Sequence, residues 1–276
     1  MNKLIKYGMI AGGILCAANG LDNRLETTYY TISSKKLPKE FDGFKIAHLS
    51  DMHSESIPNL YSAVKSIRPD IIACTGDMID DKGAYDFVVS EIKNFMNIAP
   101  VYIITGNHDL WRNDFPDFQR EIENTGAMFL RNERIRLERN GAWISLSGID
   151  DPFSHDAYNI NKNIKYGLSM LGEPEGFEIT MFHRANLLEK IYDKGFDVIL
   201  SGHMHGGQFR IPKVGGVLSP KSSLAGGGRM FFPKYFGGRY SFKNTEMIVS
   251  RGLGNPMLIP RFFNRPELVC VQLECK

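Results

Sequence analysis

Five short clusters of polar residues in this 276-residue chain carry side chains that bind metal ions well. They combine aspartate, asparagine and histidine, usually beside glycine, and they contain five of the seven histidines. Carboxylate, imidazole and amide oxygen atoms together suit Mn, Fe or Zn ions. In chain order the clusters are Asp51-Met52-His53, Gly76-Asp77-Met78-Ile79-Asp80, Gly106-Asn107-His108-Asp109, His183, and Gly202-His203-Met204-His205.

Each cluster follows an apolar run that is typical of a buried strand. The carboxyl ends of such strands converge at one edge of an α/β sheet. An aspartate placed there can bridge two ions about 3.5–4 Å apart, which is the spacing used by phosphoryl hydrolases. Each motif alone also occurs as an ordinary turn, but their order and shared placement predict a two-metal site. The runs are 45–50, 70–75, 101–105, 178–182 and 198–200.

The elements that must position these clusters alternate along the first half of the chain. Apolar residues spaced three and four apart predict helices at 58–67, 85–96, 115–124, 160–171 and 185–194. Further strands are predicted at 29–32, 128–130, 135–137, 143–147, 247–250 and 268–273, with Asn140-Gly141 as a hairpin turn. This order predicts a layered α/β sandwich of two mixed β-sheets flanked by helices, formed by residues 21–276.

The first twenty residues differ in composition from the rest of the chain. Lys3 and Lys6 precede an apolar stretch at 9–18, which is shorter than the roughly 20 residues that cross a bilayer. A basic flank followed by a short apolar region is typical of a signal peptide or membrane anchor. We therefore expect residues 1–20 to export the chain or hold it at a membrane of the cell envelope. The alternative is an ordinary N-terminal helix packed on the domain.

Charge and cysteine content exclude some classes of protein. The chain has 33 basic and 31 acidic residues, a net charge of +2, and no run of lysine and arginine. This balance argues against nucleic acid as a partner. The four cysteines show neither the paired spacing of a zinc site nor a disulfide framework.

The ordered motifs resemble the calcineurin-like metallophosphoesterases. The resemblance spans about residues 42–274 and consists of Asp-x-His, Gly-Asp-x-x-Asp, Gly-Asn-His-Asp, a lone histidine and Gly-His-x-His. The stretches at 41–53, 201–212 and 249–268 extend it beyond the metal motifs. They are similar to the membrane-associated bacterial branch that includes YkuE-like and YaeI-like phosphoesterases.

The resemblance implies a role for each site residue. Asp51, His53 and His205 would bind the first ion, Asp77 would bridge both ions, and Asn107, His183 and His203 would bind the second. His108 would be the catalytic histidine, and Asp80 would orient it. Asp109 has a weaker claim to a supporting role. The chain departs from the family pattern at Arg184-Ala185, where x-Pro is usual, and at Met204, where threonine is usual; neither change removes a ligand.

The expected activity is metal-dependent hydrolysis of a phosphate ester or pyrophosphate, by in-line attack of a hydroxide held between two divalent ions. The native metal, manganese, iron or zinc, is left open. His108 would assist departure of the leaving oxygen. His48 is expected to be a core histidine, and His155 lies in a loop where it either faces substrate or is solvated.

The substrate is open between several classes. Aromatic and basic residues interleave at 230–236, 239–240 and 261–263, and they would suit a membrane interface if exposed. That pattern favours a membrane-associated or lipid-linked substrate, hence a place in lipid metabolism, although the same residues could be core positions. The alternatives are a soluble nucleotide or other phosphodiester, and a non-catalytic metal-binding protein.

Overall fold

In the computed structural model, which describes residue 7 and residues 16–152, 159–224 and 228–276, residues 16–20 are helical and are followed by fourteen strands and five α-helices. The strands are β1 Glu26–Ser34, β2 Lys45–Leu49, β3 Ile71–Cys74, β4 Val101–Ile103, β5 Met128–Phe129, β6 Glu133–Arg139, β7 Ala142–Ile149, β8 Glu178–Arg184, β9 Val198–Gly202, β10 Arg210–Ile211, β11 Gly215–Gly216, β12 Gly238–Phe242, β13 Thr245–Val249 and β14 Glu267–Cys275. The helices are α1 Leu60–Ile67, α2 Asp86–Phe95, α3 Asn107–Leu110, α4 Phe115–Asn124 and α5 Ile160–Leu171.

These strands form two six-stranded mixed sheets and a small ribbon. The first sheet has the order β1-β14-β2-β3-β4-β5, and β2 to β5 run parallel. The second has the order β12-β13-β9-β8-β7-β6, in which β13, β9, β8 and β7 run parallel between antiparallel outer strands. Strand β1 pairs in parallel with β14 over nine residues, from Glu26–Glu267 to Ser34–Cys275, so the chain ends share one sheet.

The core has three layers of apolar side chains, which makes the fold a four-layer sandwich. Alternation along β2 shows the principle, because Ile46 faces the second sheet whereas Ala47 and Leu49 face helices α1, α2 and α4. The outer face of the second sheet is covered by α5 and the 3-10 turn Ala185–Lys190. The predicted layered α/β sandwich of two mixed sheets is therefore confirmed.

Most predicted elements are present, but the prediction of one helix is wrong. Residues 185–194 form only the 3-10 turn Ala185–Lys190. Leu187, Leu188 and Ile191 are buried as their spacing indicated, but they fill the space beside the second sheet from a tighter turn. The Asn140-Gly141 hairpin is confirmed by φ angles of 50° and 84°. Strands β10, β11 and β12 and the short helix α3 were not predicted.

The N-terminal segment lies largely outside the described residues, because positions 1–6 and 8–15 are not among them. Within the described part of the chain, no helix has the length and apolar character needed to cross a membrane.

His48 lies in β2 and faces the space between the sheets, where its Nε2 atom is 2.8 Å from Thr75 Oγ1. The predicted core position is confirmed, since the side chain is fully buried. Burial lowers the pKa of His48 to about 3, so the ring stays neutral in the folded chain under conditions that protonate it in the unfolded chain.

This difference predicts acid sensitivity. The unfolded chain gains a proton at position 48 as the pH falls through about 6.5, whereas the folded chain does not until about pH 3. Each pH unit between these values should cost the folded state about 1.4 kcal/mol. We expect His48→Gln to flatten the decline in unfolding free energy between pH 6 and pH 4, measured by urea denaturation in chelator. Parallel profiles for the two proteins would contradict this.

Candidate metal centre

The predicted metal ligands meet at one edge of the sandwich, where strands of both sheets end. Asp51 and His53 follow β2, Asp77 follows β3, and Asn107 begins α3 directly after β4. His183 lies in β8, and His203 and His205 follow β9. The structure therefore brings six of the seven predicted ligands into two close groups, each ligand within the last residues of a strand or just beyond it. The seventh, Asn107, is buried at the start of α3. His155 lies outside the described residues.

A first group of ligand atoms comes from Asp51, His53 and His205, whose nearest donor atoms lie within 4.8 Å of one another. The Nε2 atoms of His53 and His205 are 3.2 Å apart, and His205 Nε2 is 3.5 Å from Asp51 Oδ1. All three side chains are buried. Ser50 Oγ donates to Asp51 Oδ2 at 2.6 Å and orients that carboxylate.

A second group comes from Asp77, His183 and His203, again within 4.8 Å. His183 Nε2 lies 3.1 Å from Asp77 Oδ2 and 3.2 Å from His203 Nδ1. The other ring nitrogen of His183 lies 2.7 Å from the Thr75 carbonyl oxygen. That contact requires a proton on Nδ1, and it directs Nε2 of His183 towards Asp77 and His203.

Asn107 places a buried amide in the loop that contacts Asp77 of the second group, because the next residue, His108, donates its backbone N–H to Asp77 Oδ1 at 2.8 Å. The side chain is fully buried, and neither its oxygen nor its nitrogen has a hydrogen-bond partner among the described residues. A buried unpaired amide is costly, so its position calls for a ligand that it can contact.

The chemistry of these donors fits divalent cations. The Nε2 atoms of His53 and His205 face one another at 3.2 Å, and Nε2 of His183 faces Asp77 Oδ2 at 3.1 Å. Such atoms repel unless a cation or a shared proton lies between them. Burial opposes charge on His183, but the neighbouring Asp77 carboxylate outweighs it and raises the pKa of His183 to about 10. Burial, reinforced by nearby cationic groups, keeps the pKa values of His203 and His205 low, so both rings are neutral donors.

Five of the seven predicted ligands have left-handed backbone. The φ angles are 54° at Asp51, 50° at His53, 51° at Asp77, 72° at His203 and 47° at His205. Non-glycine residues in this region cost on the order of 1 kcal/mol each and concentrate at functional sites. The turns that follow β2, β3 and β9 are therefore shaped to aim side chains inward at some cost in stability.

His108 and Asp80 lie together beside the first group. One oxygen of Asp80 is 3.0 Å from His108 Nδ1 and 3.4 Å from His53 Nδ1. The ring of His108 contacts the edge of His53 and the indole of Trp111, with centroids 4.7 Å and 4.8 Å away. Three side chains therefore hold the His108 ring, which is only partly buried.

Asp109 ties two of the loops together. Its carboxylate accepts backbone N–H groups from Gly106 at 2.7 Å, Asp77 at 2.8 Å and Ile79 at 3.2 Å. Burial and the nearby Asp77 carboxylate raise the pKa of Asp109 to about 7. Asp109 therefore supports the site through the backbone of the loops after β3 and β4.

Replacing Asp109, the acceptor shared by these three backbone N–H groups, should destabilise the domain. In Asp109→Asn one acceptor oxygen becomes an NH₂ group, which leaves at least one buried N–H unpaired, at a cost of about 1–3 kcal/mol. Urea unfolding would measure the change. The matched variant Asp117→Asn, at an exposed residue paired with Arg120, should cost less than about 1 kcal/mol. Equal losses in the two variants would contradict this role of Asp109.

Sequence reasoning missed two buried arginines next to the ligands. Arg184 contacts Asp151 Oδ2 at 2.7 Å, His203 Nε2 at 3.2 Å and the Ser222 carbonyl at 3.0 Å. Arg261 lies 3.5 Å from His205 Nδ1 and donates to the carbonyl oxygens of Arg251 and Gly254. Arg184 directly follows a ligand, which was the available signal; no local pattern pointed to the burial of Arg261.

An open pocket of about 230 Å³, called the mouth below, lies over the predicted ligands. Its walls are largely apolar, with one exposed lysine at the edge. The lining residues are Asp77, His108, Trp111, His203, His205, Pro220, Lys221, Ser222, Pro256 and Met257.

The aromatic and basic C-terminal residues divide between core and surface. Tyr235 is buried in the core beside the second sheet, and Phe262 and Phe263 are half-buried. Phe231 and Phe232 are 60% and 56% exposed. Phe231 and Phe232 therefore have the exposure that a membrane interface would require, whereas Tyr235 takes the alternative, a core position.

Comparison with known proteins agrees with this geometry. A family model described as calcineurin-like phosphoesterase matches residues 44–207. Bacillus subtilis (strain 168) YkoQ, a metallophosphoesterase by name, is 30% identical over 237 residues, which cover 83% of each chain. YkuE of the same organism, also named a metallophosphoesterase, is 28% identical over 97% of this chain and 94% of its own. The Escherichia coli (strain K12) phosphodiesterase YaeI is 24% identical over 83% of this chain and 82% of its own.

Proposed function

This chain belongs to the calcineurin-like phosphoesterase family and is a hydrolase of phosphoester bonds, and we propose that it cleaves a lipid-linked phosphoester with two divalent metal ions. The family and the bacterial branch expected from the motifs are confirmed. The proposal concerns the residues that hold the ions, the group that assists cleavage, and the substrate.

The position of Asp77 between the two groups of donor atoms is the observation that supports two ions. Its Oδ2 atom is 3.1 Å from His183 Nε2 and 3.9 Å from His53 Nε2, so one carboxylate reaches both groups of donors. Asp51, His53 and His205 would hold one ion, and Asn107, His183 and His203 the other. Asp77 would bridge them. Manganese, iron and zinc all suit these donors.

Two divalent ions bound here would neutralise phosphoryl charge and acidify the attacking water. The chain's own residues would do the rest. Contact with Asp80 favours a proton on Nδ1 of His108, and Trp111 holds the ring. His108 lines the mouth, where a proton on its Nε2 atom would be donated to the leaving oxygen as the ester bond breaks. The backbone N–H of His108 donates to Asp77 Oδ1 at 2.8 Å, which fixes the position of His108 relative to Asp77.

The mouth supports an amphiphilic substrate. Trp111, Pro256 and Met257 give apolar contact to an alcohol portion, and Lys221 offers a cation for an anionic oxygen. A lipid-linked phosphodiester or pyrophosphate meets both requirements. Attachment at the cell envelope through residues 1–20 would bring the site to such a substrate.

A soluble nucleotide is the second candidate, because the exposed face of Trp111 can stack on a flat base. The name of the relative YaeI, a phosphodiesterase, is compatible with both candidates. Membership of a phosphoesterase family argues against the non-catalytic alternative.

The test is hydrolysis by purified full-length protein that has been stripped with chelator and reloaded with Mn, Zn or Fe. We expect turnover of bis-nitrophenyl phosphate only after reloading, and higher kcat/KM for phospholipid than for nucleotide diesters. Preference for nucleotides would replace the lipid assignment. No turnover of any phosphoester with any of the three metals would overturn the proposal.

A further inference from the structure

We infer that exposed apolar side chains beside the mouth form a surface that docks on an anionic lipid bilayer. This docking rim consists of Phe231, Phe232, Leu258 and Ile259. Leu258 is fully exposed, and the other three are between 40% and 60% exposed. Pro256 and Met257, which immediately precede the rim residue Leu258, line the mouth, so the apolar surface continues from the catalytic pocket outward.

Both parts of the rim are attached to one turn. Phe232 N–H donates to the Val217 carbonyl, and Val217 N–H donates to the Gly207 carbonyl. The next residue, Gln208, is buried, and its Nε2 atom donates to the Ile259 carbonyl at 2.5 Å and to Asn255 Oδ1 at 2.9 Å. The two apolar pieces are therefore connected through the adjacent residues Gly207 and Gln208, and the piece that carries Leu258 continues from the wall of the mouth.

The loop that carries Leu258 is held rigidly. Besides the bonds from Gln208, the Asn255 N–H donates to Glu55 Oε1 at 2.8 Å, and buried Arg261 donates to the Gly254 carbonyl at 3.1 Å. A loop fixed at both ends keeps Leu258 in solvent as a built feature of the fold. An apolar residue held out in this way is typical of an interaction surface.

Charge identifies the partner. Residues 201–245 contain seven lysines and arginines and no aspartate or glutamate, although the whole chain has nearly equal numbers. Lys213, Lys221 and Arg229 of this segment are exposed. Lys234 and Arg239 are paired with Glu189 and Glu246, which leaves the exposed cations of the segment for a partner. Exposed apolar side chains in a basic segment match the interface of an anionic bilayer, where acyl chains lie below negative headgroups.

The course of the chain supplies independent support. Gly20 packs against the ring of Phe262, and its carbonyl accepts the Phe263 N–H at 2.6 Å. Phe262 and Phe263 follow the rim loop directly. The chain therefore enters the domain beside the rim, from a sequence that is apolar at residues 9–18. An N-terminal membrane attachment and the rim would meet the bilayer on the same side.

Docking on a bilayer does not depend on the proposed function. Only its expected benefit, the delivery of a lipid substrate to the mouth, rests on that function. Insertion is tested in the full-length chain by Leu258→Trp, with Met170→Trp as the matched control, because Met170 is 58% exposed on α5, away from the rim. Each protein is mixed with vesicles of equal parts phosphatidylcholine and phosphatidylglycerol, with and without brominated acyl chains. The emission of wild-type protein is subtracted.

We expect the indole introduced by Leu258→Trp to shift to shorter wavelength and to be quenched by brominated lipid, and the Met170→Trp indole to do neither. The effect should weaken with phosphatidylcholine alone and at high salt. Vesicle binding without quenching in Leu258→Trp would overturn the inference, since residues 1–20 would then hold the chain alone. Quenching in a protein that hydrolyses no phosphoester would sustain the docking rim and overturn only the proposed function.

Discussion

Asp77→Asn is expected to lower kcat/KM for a phosphodiester by on the order of 10³-fold or more, the scale on which loss of one member of a catalytic unit is felt. The amide keeps the size of the side chain but removes the negative charge that both groups of donors share. The Asp77 carboxylate also accepts a hydrogen bond from the backbone N–H of His108. The substitution should therefore weaken both the binding of the two ions and the placement of His108.

Metal content separates these effects. Elemental analysis should show two ions per wild-type chain and fewer than two in Asp77→Asn. The matched control is Asp81→Asn, the same chemical change at an exposed residue beside Asp80, and it should retain both ions and wild-type turnover. Two ions and undiminished turnover in Asp77→Asn would remove Asp77 as the bridge.

His108→Ala is expected to lower kcat by about 10²–10⁴-fold, which is the contribution of one positioned acid. The reason is local, because His108 lies at the mouth and Asp80 Oδ1 is 3.0 Å from its Nδ1 atom. Bound metal should be unchanged, because His108 and Asp80, which converge on His53 as a third cluster, are assigned to proton transfer and not to an ion.

The leaving group gives the sharper measurement. A proton donor matters most when the departing oxygen is basic, so the loss should be larger for an alkyl ester than for a nitrophenyl ester. Asp80→Asn should show the same trend with a smaller loss, about 10–100-fold, because it orients the ring without replacing it. An equal loss on both esters would assign His108 to binding rather than proton transfer.

The parts of the fold that could be predicted are those encoded locally. Strands β2, β3, β4 and β9 are apolar runs closed by polar clusters, and the structure has them within one or two residues of the predicted bounds. The metal clusters follow because strand ends carry side chains to a common edge. Helices α2, α4 and α5 likewise show their buried faces in their own spacing.

What could not be predicted depends on pairings across the chain. Strand β1 joins β14, more than two hundred residues away, and no local pattern specifies that partner. Arg184 pairs with Asp151, which lies 33 residues earlier in the chain and 2.7 Å away, and its own sequence neighbourhood does not name that partner. Residues 185–194 had helical spacing, but the space beside the second sheet accepted a 3-10 turn.

The left-handed turns at the metal centre restrict what evolution or a designer can change there. Asparagine, aspartate and histidine are the non-glycine residues most often found with positive φ, and they are also residues whose side chains bind metal ions. The backbone conformation and the metal chemistry therefore accept nearly the same few residue types at five positions, which are Asp51, His53, Asp77, His203 and His205. Glycine would satisfy the backbone alone, and cysteine or glutamate the chemistry alone. Variant libraries at these five positions should yield few active members, and the metal preference of this site is more readily altered from the residues that surround the ligands.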